Sequence, residues 1–267
     1  MPGRVGLTLG CLAAMILQYA PAVVANDSAA AYGAGGITFK KIDGIVMESE
    51  NLIISPFEVT VSYVFRNITA SDIKTMVAFP LPMITKHDED EDINIDMDSR
   101  NPVHFELTVN GQARRFQTEI KKTKRTFRVT YHWIQTFPAG KQVFVSHKYK
   151  PIHGSFFTSE YEGTRKPFTR LFTSTYCTEP SLLDWLLKAQ RTVFEVHYIL
   201  RTGANWQGPI GKFSLTIKKD DPEQKLSLCG YPVRQVDPTT FVWEKRNFTP
   251  AKDLKIVFAQ ALKKGAG

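Results

Sequence analysis

An acidic stretch at residues 87–98 is the part of the chain that most resembles a metal site. Asp88, Asp90 and Asp92 occupy every second position there, so in a strand their carboxylates would share one face and repel one another. Oxygen ligands at this spacing suit a hard cation, and calcium is the candidate cofactor. The glycine and the final glutamate of an EF-hand loop are missing. The charge pattern favours the alternative, a solvated acidic loop between two strands that holds no cofactor.

Two cysteines, Cys177 and Cys229, lie beyond the N-terminal leader that is described below. In an exported protein we expect them to form a disulfide, because oxidising compartments let disulfides persist. The bond would tie a helix to a strand of the second half and stabilise the fold by roughly 2–4 kcal/mol. The alternative is a pair of small buried thiols.

No catalytic signature is visible in the chain. The Gly-x-Ser-x-Gly, Gly-Lys-Ser/Thr and His-Glu-x-x-His motifs do not occur, and the histidines are scattered. A hydrolase site could still be assembled from dispersed residues such as His132, Asp184 and Glu195. Because function depends on a site and none is visible, the sequence favours a protein that is not an enzyme.

The elements that would position these residues are mainly strands. Apolar and polar residues alternate through residues 127–149, which is the pattern of half-buried strands. A central Pro-Ala-Gly sequence predicts a bulged three-residue loop, and therefore a long hairpin in which Trp133 pairs with Val145. A two-residue loop would instead pair His132 with His147, and the two side chains would then form half of a metal site. It would also put the apolar residues on opposite faces, so the pattern rejects it.

The rest of the first half predicts a run of hairpins. Residues 57–66 alternate cleanly, and residues 73–79 would form the returning strand after a turn. Asn110 and Gly111 are a strong turn signal for another hairpin.

The second half adds one helix to this pattern. Residues 152–178 predict a crossing segment, and Ser181 with Asp184 forms a capping box that predicts one short helix. The fold class is therefore mainly β, with two packed antiparallel β-sandwich units and one short helix in the second half. The predicted units are residues 26–151, an N-terminal β-sandwich, and residues 152–267, a C-terminal β-rich unit. One continuous sandwich is the alternative.

Residues 1–25 have the pattern of a secretory signal peptide. One basic residue, Arg4, precedes a short apolar core, and small residues lead to a cleavage site after Ala25. An uncleaved anchor is the alternative, but Gln18 and Pro21 interrupt a core that is already short for a bilayer. No later segment of the sequence is long and apolar enough to span a membrane. We therefore expect an exported mature chain.

The chain carries a dispersed basic charge. Its formal net charge is +8 over 267 residues, with one denser run at residues 114–125. A basic excess favours acidic partners such as an anionic lipid surface or polymer. Aromatic and basic residues do not interleave in the manner of nucleic-acid-binding motifs, so we expect no nucleic-acid partner.

Short motifs along the chain resemble one bacterial family of exported proteins. They are Asn26-Asp27-Ser28, Gly35-Gly36-Ile37, Phe79-Pro80-Leu81-Pro82 and Gln135-Thr136-Phe137-Pro138-Ala139-Gly140. In this order behind a leader they resemble the domain of unknown function 4424, over nearly the whole mature chain. The resemblance implies a β-rich exported protein of a Gram-negative bacterium, in the periplasm, with no established activity. Asn26, Asp27 and Ser28 are the family's most recognisable mark, and at a new N-terminus they are candidates for docking or for processing.

These features together predict a non-enzymatic binding or assembly module of the cell envelope. Such a module would present sheet faces or loops to an envelope protein, a polymer or an anionic lipid surface. The step from sandwich to binding is an analogy from fold. The alternative is an envelope-directed hydrolase with a site built from dispersed residues.

Overall fold

The computed structural model describes residues 26–33, 36–85, 98–124, 126–158 and 165–262. The strands of the first half are β1 (Ser28–Gly33), β2 (Gly36–Phe39), β3 (Ile45–Ile54), β4 (Val59–Asn67), β5 (Ile73–Pro80), β6 (Ile84–Thr85), β7 (Glu106–Val109), β8 (Gln112–Ala113), β9 (Gln117–Lys122), β10 (Thr126–Phe137), β11 (Gln142–Tyr149) and β12 (His153–Phe157). The elements of the second half are α1 (Arg165–Tyr176), α2 (Pro180–Lys188), β13 (Arg191–Tyr198), a 3₁₀ helix (Arg201–Asn205), β14 (Ile210–Lys218), β15 (Lys225–Leu228), β16 (Arg234–Gln235), β17 (Thr240–Phe248) and β18 (Leu254–Ala261).

The described strands form three sheets. A six-stranded sheet has the order β2-β1-β5-β10-β6, with β9 also paired to β10. An eight-stranded sheet has the order β16-β17-β14-β3-β4-β11-β7-β8. A four-stranded sheet has the order β12-β13-β18-β15. The predicted class is confirmed, since the protein is mainly β with predominantly antiparallel sheets.

Alternating side chains build the core between the sheets. In β4 the buried residues are Val59, Val61, Tyr63 and Phe65, as their period of two predicts. In β10 they include Phe127, Val129, Tyr131, Trp133 and Phe137. One continuous cluster of buried apolar side chains contains these residues together with residues of β13, β14 and β18. The core therefore takes side chains from both halves of the chain.

The predicted hairpin at residues 127–149 is wrong in its pairing and right in its buried faces. β10 pairs with β5, β6 and β9 in the six-stranded sheet, whereas β11 pairs with β4 and β7 in the eight-stranded sheet. The Pro138–Gly140 loop therefore carries the chain from one sheet to the other. Alternation determines which face of a strand is buried, but two facing sheets satisfy the same pattern as a hairpin does. Trp133 is opposite Val77, and Val145 is opposite Tyr63.

A similar crossing separates β4 from β5. Both segments form strands as predicted, although β4 begins at Val59, two residues later than expected; β4 pairs with β3 and β11 while β5 pairs with β1 and β10. The hairpin predicted at Asn110 and Gly111 is confirmed, because Val109 pairs with Gln112 across the turn. Both turn residues have positive φ angles, 51° and 77°, which is the backbone that this two-residue turn requires.

Two helices replace the single helix that the sequence predicts. The segment predicted to be a crossing contains α1, in which Phe168, Phe172 and Tyr176 recur every four residues and are buried. The predicted capping box is also wrong. α2 begins at Pro180, which needs no N–H partner in a first turn, and Glu179 at the N-cap makes no side-chain cap hydrogen bond.

The eight-stranded sheet contains strands from both predicted units. β3 pairs in parallel with β14, from Lys212 opposite Ser49 to Ile217 opposite Ile54. A bulge between Met47 and Ser49 lies at one end of this pairing. The division of the chain into two units at residue 151 stays a prediction. The eight-stranded sheet takes strands from both sides of that residue.

Gly211 allows the two strands to approach at this bulge. A Cβ atom at position 211 would lie 2.6 Å from the backbone oxygen of Glu48, a contact that neither backbone can relieve cheaply. We expect Gly211→Ala to lower the free energy of unfolding by about 1–3 kcal/mol in chemical denaturation. Lys212→Ala, at the next, exposed position, is the control and should change it by less than about 0.5 kcal/mol. Equal values for the two variants would contradict the close approach.

Candidate functional site

A row of small polar side chains crosses the outer face of the eight-stranded sheet. Its members, which we call the polar row, are adjacent in register and are Thr108, Ser146, Ser62, Asn51 and Ser214. The neighbouring residues on each strand point inward and are buried, except for the partly buried Val109, which leaves the row on the solvent side. One face of this sheet therefore packs in the core, and the other presents hydroxyl and amide groups.

A groove of about 320 Å³ lies over the middle of the polar row. Phe144 lines this groove, and 52% of its surface is exposed although its side chain is large and apolar. Val64 lies directly across from Phe144 on β4. The remaining lining residues include Ser49, Asn51, Ser62, Thr108, Gly111 and Ser146. The groove thus combines an apolar platform with a line of hydrogen-bonding groups.

The turn between β7 and β8 holds Phe144 in place. Asn110 Oδ1 accepts a hydrogen bond from the backbone N–H of Phe144 at 2.9 Å, and the backbone N–H of Asn110 donates to the Phe144 carbonyl at 2.8 Å. Ser62 Oγ and Ser146 Oγ lie 3.3 Å apart on neighbouring strands. The positions of the ring and of the hydroxyls are therefore set by strand register and a tight turn, not by a loose loop.

The chemistry of the groove suits a neutral polar ligand. Among the described residues, those that line it include no acidic or basic side chain. Charged residues of the same face border the groove: Lys212 is opposite the lining residue Ser49, Arg66 is two positions after Val64 on β4, and Lys148 is two positions after Ser146 on β11. An aromatic ring beside hydroxyl and amide groups can contact carbon-bound hydrogens and hydrogen-bond to hydroxyls at the same time. A sugar ring presents both kinds of group, since it has carbon-bound hydrogens on its faces and hydroxyls around its edge.

The residues named for a hydrolase lie on separate elements. His132 is in the six-stranded sheet, where its Nε2 lies 3.0 Å from the hydroxyl of Tyr32. Asp184 is an exposed residue of α2, and Glu195 is on β13 of the four-stranded sheet. None of the three lines the groove, or the smaller concavity of about 220 Å³ beside the β7–β8 hairpin.

Asn26, Asp27 and Ser28 are fully buried, and their role in docking stays a prediction. Asn26 Nδ2 donates to Glu50 Oε2 at 3.0 Å, and Asn26 Oδ1 accepts from the Tyr63 hydroxyl at 2.5 Å. The Tyr63 hydroxyl lies 3.1 Å from that of Tyr198. We call Asn26, Asp27, Glu50, Tyr63, His147 and Tyr198 the buried polar cluster.

Side chains from the second half of the chain hydrogen-bond to Asp27 and Ser28. Trp206 Nε1 donates to the carbonyl of Asp27 at 2.7 Å, and Asn205 Nδ2 donates to Ser28 Oγ at 2.8 Å. Both residues lie at the end of the 3₁₀ helix. The three residues therefore occupy an interior site that is built from both halves of the chain.

Burial dominates the electrostatics of the buried polar cluster. Desolvation, with a smaller contribution from Glu50, raises the pKa of Asp27 well above its usual value. Desolvation raises the pKa of Glu50 to about 8, against the hydrogen bonds from Asn26 and Tyr198. It lowers the pKa of His147 to about 3. His147 Nε2 lies 3.5 Å from Asp27 Oδ1, but both groups favour the neutral state, so this contact is not an ion pair.

Sequence reasoning missed Glu50 and Phe144, and both had a signal. Glu50 shares its face of β3 with Leu52 and Ile54, so a carboxylate occupies a position where alternation predicts an apolar residue. Phe144 occupies the outward face of β11, where alternation predicts a polar residue. A residue that breaks the pattern of its strand marks a site in both cases.

The remaining expectations have different outcomes. Cys177 and Cys229 are bonded, with Cα atoms 5.1 Å apart. Asp88, Asp90 and Asp92 lie outside the described residues, as does the leader. Elsewhere, in the ranges that the structure describes, no three His, Cys, Asp or Glu side chains are grouped to hold a metal ion. No described helix is long and apolar enough to cross a membrane.

A solved structure shares this fold at low sequence identity, and two further structures match it more weakly. A Legionella pneumophila protein described as a "putative nutrient binding protein" has a TM-score of 0.55 at 17% identity, over 88% of this chain and 70% of that one. Leukotriene A4 hydrolase of Saccharomyces cerevisiae gives a TM-score of 0.38 at 10% identity, and the match covers 81% of this chain and 29% of the enzyme. An M1 zinc metallopeptidase of Deinococcus radiodurans gives 0.32 at 10% identity, over 82% and 43%. At these identities only the first match bears on the fold, and it bears on nothing else.

The sequence itself matches a protein family. A comparison with curated proteins finds no match. The family model of the domain of unknown function 4424 matches residues 25–125 and 115–257, which together are most of the chain. The chain therefore belongs to the family of the domain of unknown function 4424.

Proposed function

We propose that this protein is a non-enzymatic binding module of the cell envelope, and that it holds a neutral glycan segment in the groove at Phe144. The observation that carries the proposal is a half-exposed phenylalanine beside a row of hydroxyl and amide groups, in a groove on the outer face of a sheet. A large apolar side chain in such a position has no role in the core. It would gain contact area when a sugar ring covers it.

The shape of the face supports an extended ligand. The polar row crosses five neighbouring strands, and strands in a sheet lie about 4.8 Å apart, so its outermost members are separated by roughly 19 Å. That length accommodates several sugar units in a line. The absence of charged lining residues among those described favours a neutral segment over an anionic lipid headgroup. The other partners considered, an envelope protein and a lipid surface, are outcomes of the experiment below.

The proposed location is the periplasm of a Gram-negative bacterium. The support is the leader pattern of residues 1–25, together with the cysteine pair, which suits an oxidising compartment. The fold-related Legionella protein is described as a binding protein, and a binding role is also what we propose here.

Phe144→Ala tests the proposal directly. Co-sedimentation with purified peptidoglycan, and titration with soluble glycan fragments, would measure the affinity of the mature protein. We expect the substitution to weaken binding by about 2- to 13-fold, which corresponds to the roughly 0.5–1.5 kcal/mol of an aromatic contact. Asn51→Ala should weaken binding as well, because an amide of the polar row is lost.

Phe57→Ala is the matched control. Phe57 is 51% exposed, nearly the same as Phe144, but it lies beside Phe194 and away from the groove. It should leave the affinity unchanged. If the two phenylalanine variants bind glycans equally well, or if the protein binds anionic vesicles but no glycan, the proposed ligand is wrong.

A further inference from the structure

Two carboxyl groups are buried in this protein without a cationic partner among the described residues. Glu50 and Asp27 are each at most 1% exposed, and no described lysine or arginine forms an ion pair with either of them. Neither carboxylate oxygen of Asp27 has a hydrogen-bond partner in the described part of the chain, and the same holds for both ring nitrogens of His147. A buried acid in this state is costly unless a positive charge reaches it or it stays protonated.

We propose that the missing cation is the α-ammonium group of Asn26, which removal of the leader creates. Hydrolysis of the Ala25–Asn26 peptide bond consumes one water molecule, leaves a carboxyl group on Ala25 and frees the amino group of Asn26. That amine takes up a proton at neutral pH, because its ordinary pKa is about 8. Residues 26–28 are then a buried binding site for the new terminus, and processing completes the charge balance of the core.

The hydrogen bonds of Asn26 place this amine close to Glu50. Its side-chain Nδ2 lies 3.0 Å from Glu50 Oε2. Covalent geometry keeps the α-nitrogen of an asparagine within about 5 Å of its own Nδ2, so the amine lies within about 8 Å of the Glu50 carboxylate. Asp27 is the next residue in the chain, and its carbonyl is held by Trp206. In the interior two opposite charges at such distances attract much more strongly than they would in water.

The inference goes beyond the proposed binding role and does not depend on it. It assigns the Asn-Asp-Ser segment to folding after export, because the uncleaved chain has a neutral amide at position 26 and lacks the cation. The folded state of the precursor should therefore be less stable than that of the mature protein.

Four chains test the charge pairing by equilibrium unfolding at pH 7. They are the mature chain from Asn26, the chain extended by Ala25, and both chains with Glu50→Gln. Two charges about 8 Å apart at an effective dielectric constant of 20 give a factor of about 30. At pH 7 a Glu50 carboxyl with a pKa of about 8 must first lose its proton, so we expect the extension to raise the unfolding equilibrium constant about 4-fold in the chain with Glu50. With Glu50→Gln the same extension should have less than about a 1.5-fold effect. An equal penalty in both backgrounds, or no penalty at all, would overturn the proposal.

A direct measurement on the unsubstituted mature protein stays informative even if Glu50→Gln does not fold. An amine-reactive reagent is applied at neutral pH, and mass spectrometry follows labelling of the Asn26 amine. Burial and protonation should slow labelling at least about 30-fold relative to the unfolded chain. Labelling at the rate of the unfolded chain would contradict a buried terminus. The intact mass of the exported protein must also correspond to a start at Asn26, and any other start defeats the proposal.

The pH dependence of stability provides a second, independent readout. The titratable groups around Glu50 and Asp27 are Tyr63, His147, Tyr198 and Tyr231. In the extended chain the pKa of Glu50 is about 8 in the folded state, against an ordinary value of 4.5. Between these two pH values the folded state therefore keeps a proton that the unfolded state has lost. The stability of the extended chain should therefore fall as pH rises from 6.5 to 8. The lowered pKa of His147 makes stability rise with pH, but only below pH 6.5.

In the mature chain the α-ammonium group favours ionised Glu50, so the slope between pH 6.5 and pH 8 should be shallower. An amine whose folded pKa is raised contributes stability that is present below its unfolded pKa and is lost as pH rises through its folded pKa. The loss should therefore occur mainly above pH 8. Identical pH profiles for the mature and extended chains would count against the proposal.

Discussion

Replacing Trp206 by alanine is expected to lower the free energy of unfolding by about 3–5 kcal/mol, the range for deleting a large buried aromatic side chain. Trp206 is 3% exposed, and its ring centroid lies 4.6 Å from that of Phe65 and 5.9 Å from that of Phe137. Its indole N–H also holds the carbonyl of Asp27. One side chain thus joins the end of the 3₁₀ helix, two sheets and the N-terminal segment, and alanine removes all of these contacts.

Trp206→Phe separates packing from hydrogen bonding. The phenyl ring keeps much of the apolar contact, but the buried carbonyl of Asp27 loses its donor, which costs about 1–3 kcal/mol. Hydrogen exchange should then show residues 26–30 opening more readily than the rest of the core. Trp185→Ala is the control, because Trp185 lies on α2 and is only partly buried, with the guanidinium group of Arg191 4.2 Å from its ring centroid. Equal losses for Trp206→Ala and Trp185→Ala would show that Trp206 has no special role.

Loss of the disulfide is expected to have the next largest effect. Cys177 follows α1 and Cys229 follows β15, so the bond closes a loop with a sequence separation of 52 residues. Constraint of the unfolded chain over a loop of that length gives about 4 kcal/mol, and measured values for disulfides are typically about 2–4 kcal/mol. We expect the Cys177→Ser, Cys229→Ser double variant to lose a free energy of unfolding in this range in urea denaturation.

The contacts beside the disulfide indicate where the variant would open first. Ser227 Oγ donates to the carbonyl of Tyr176 at 2.9 Å, at the end of α1. The cluster formed by α1 and α2 packs on Val193, Val257 and Ala259 of the four-stranded sheet. We expect faster hydrogen exchange in α1 than in β4 of the double variant. If the native protein and the same protein with a reduced disulfide melt at the same temperature, the bond does not contribute as argued.

Local patterns predicted the elements better than their partners. The alternation of β4, β10 and β11 correctly identified the apolar side chains that face the core, because a period of two is a property of the strand itself, although Thr130 and His132 of β10 are buried too. The Asn110–Gly111 hairpin was predictable for the same reason, since its turn needs two residues that tolerate positive φ angles. Helix α1 was missed because short polar residues and a proline hide its three buried aromatic side chains.

Pairing between distant strands was not predictable from these patterns. A strand that leaves a tight loop can return in the same sheet or cross to the facing sheet, and both choices bury the same residues. The chain crosses after β4 and again after β10, so the two hairpins expected there do not form. The parallel contact of β3 with β14 joins residues about 160 positions apart, and only the packed core selects it.

By itself the sequence determined the mainly β class, the buried faces of the strands, the cysteine pair and the family, because each depends on residue type and short spacing. The tertiary structure alone decided what Asn26, Asp27 and Phe144 do. Burial changes the properties of the first two, since a carboxyl group in the interior titrates differently and an asparagine there needs its hydrogen bonds satisfied. Register decides the third, because the same phenylalanine on the other face of β11 would be one more core residue.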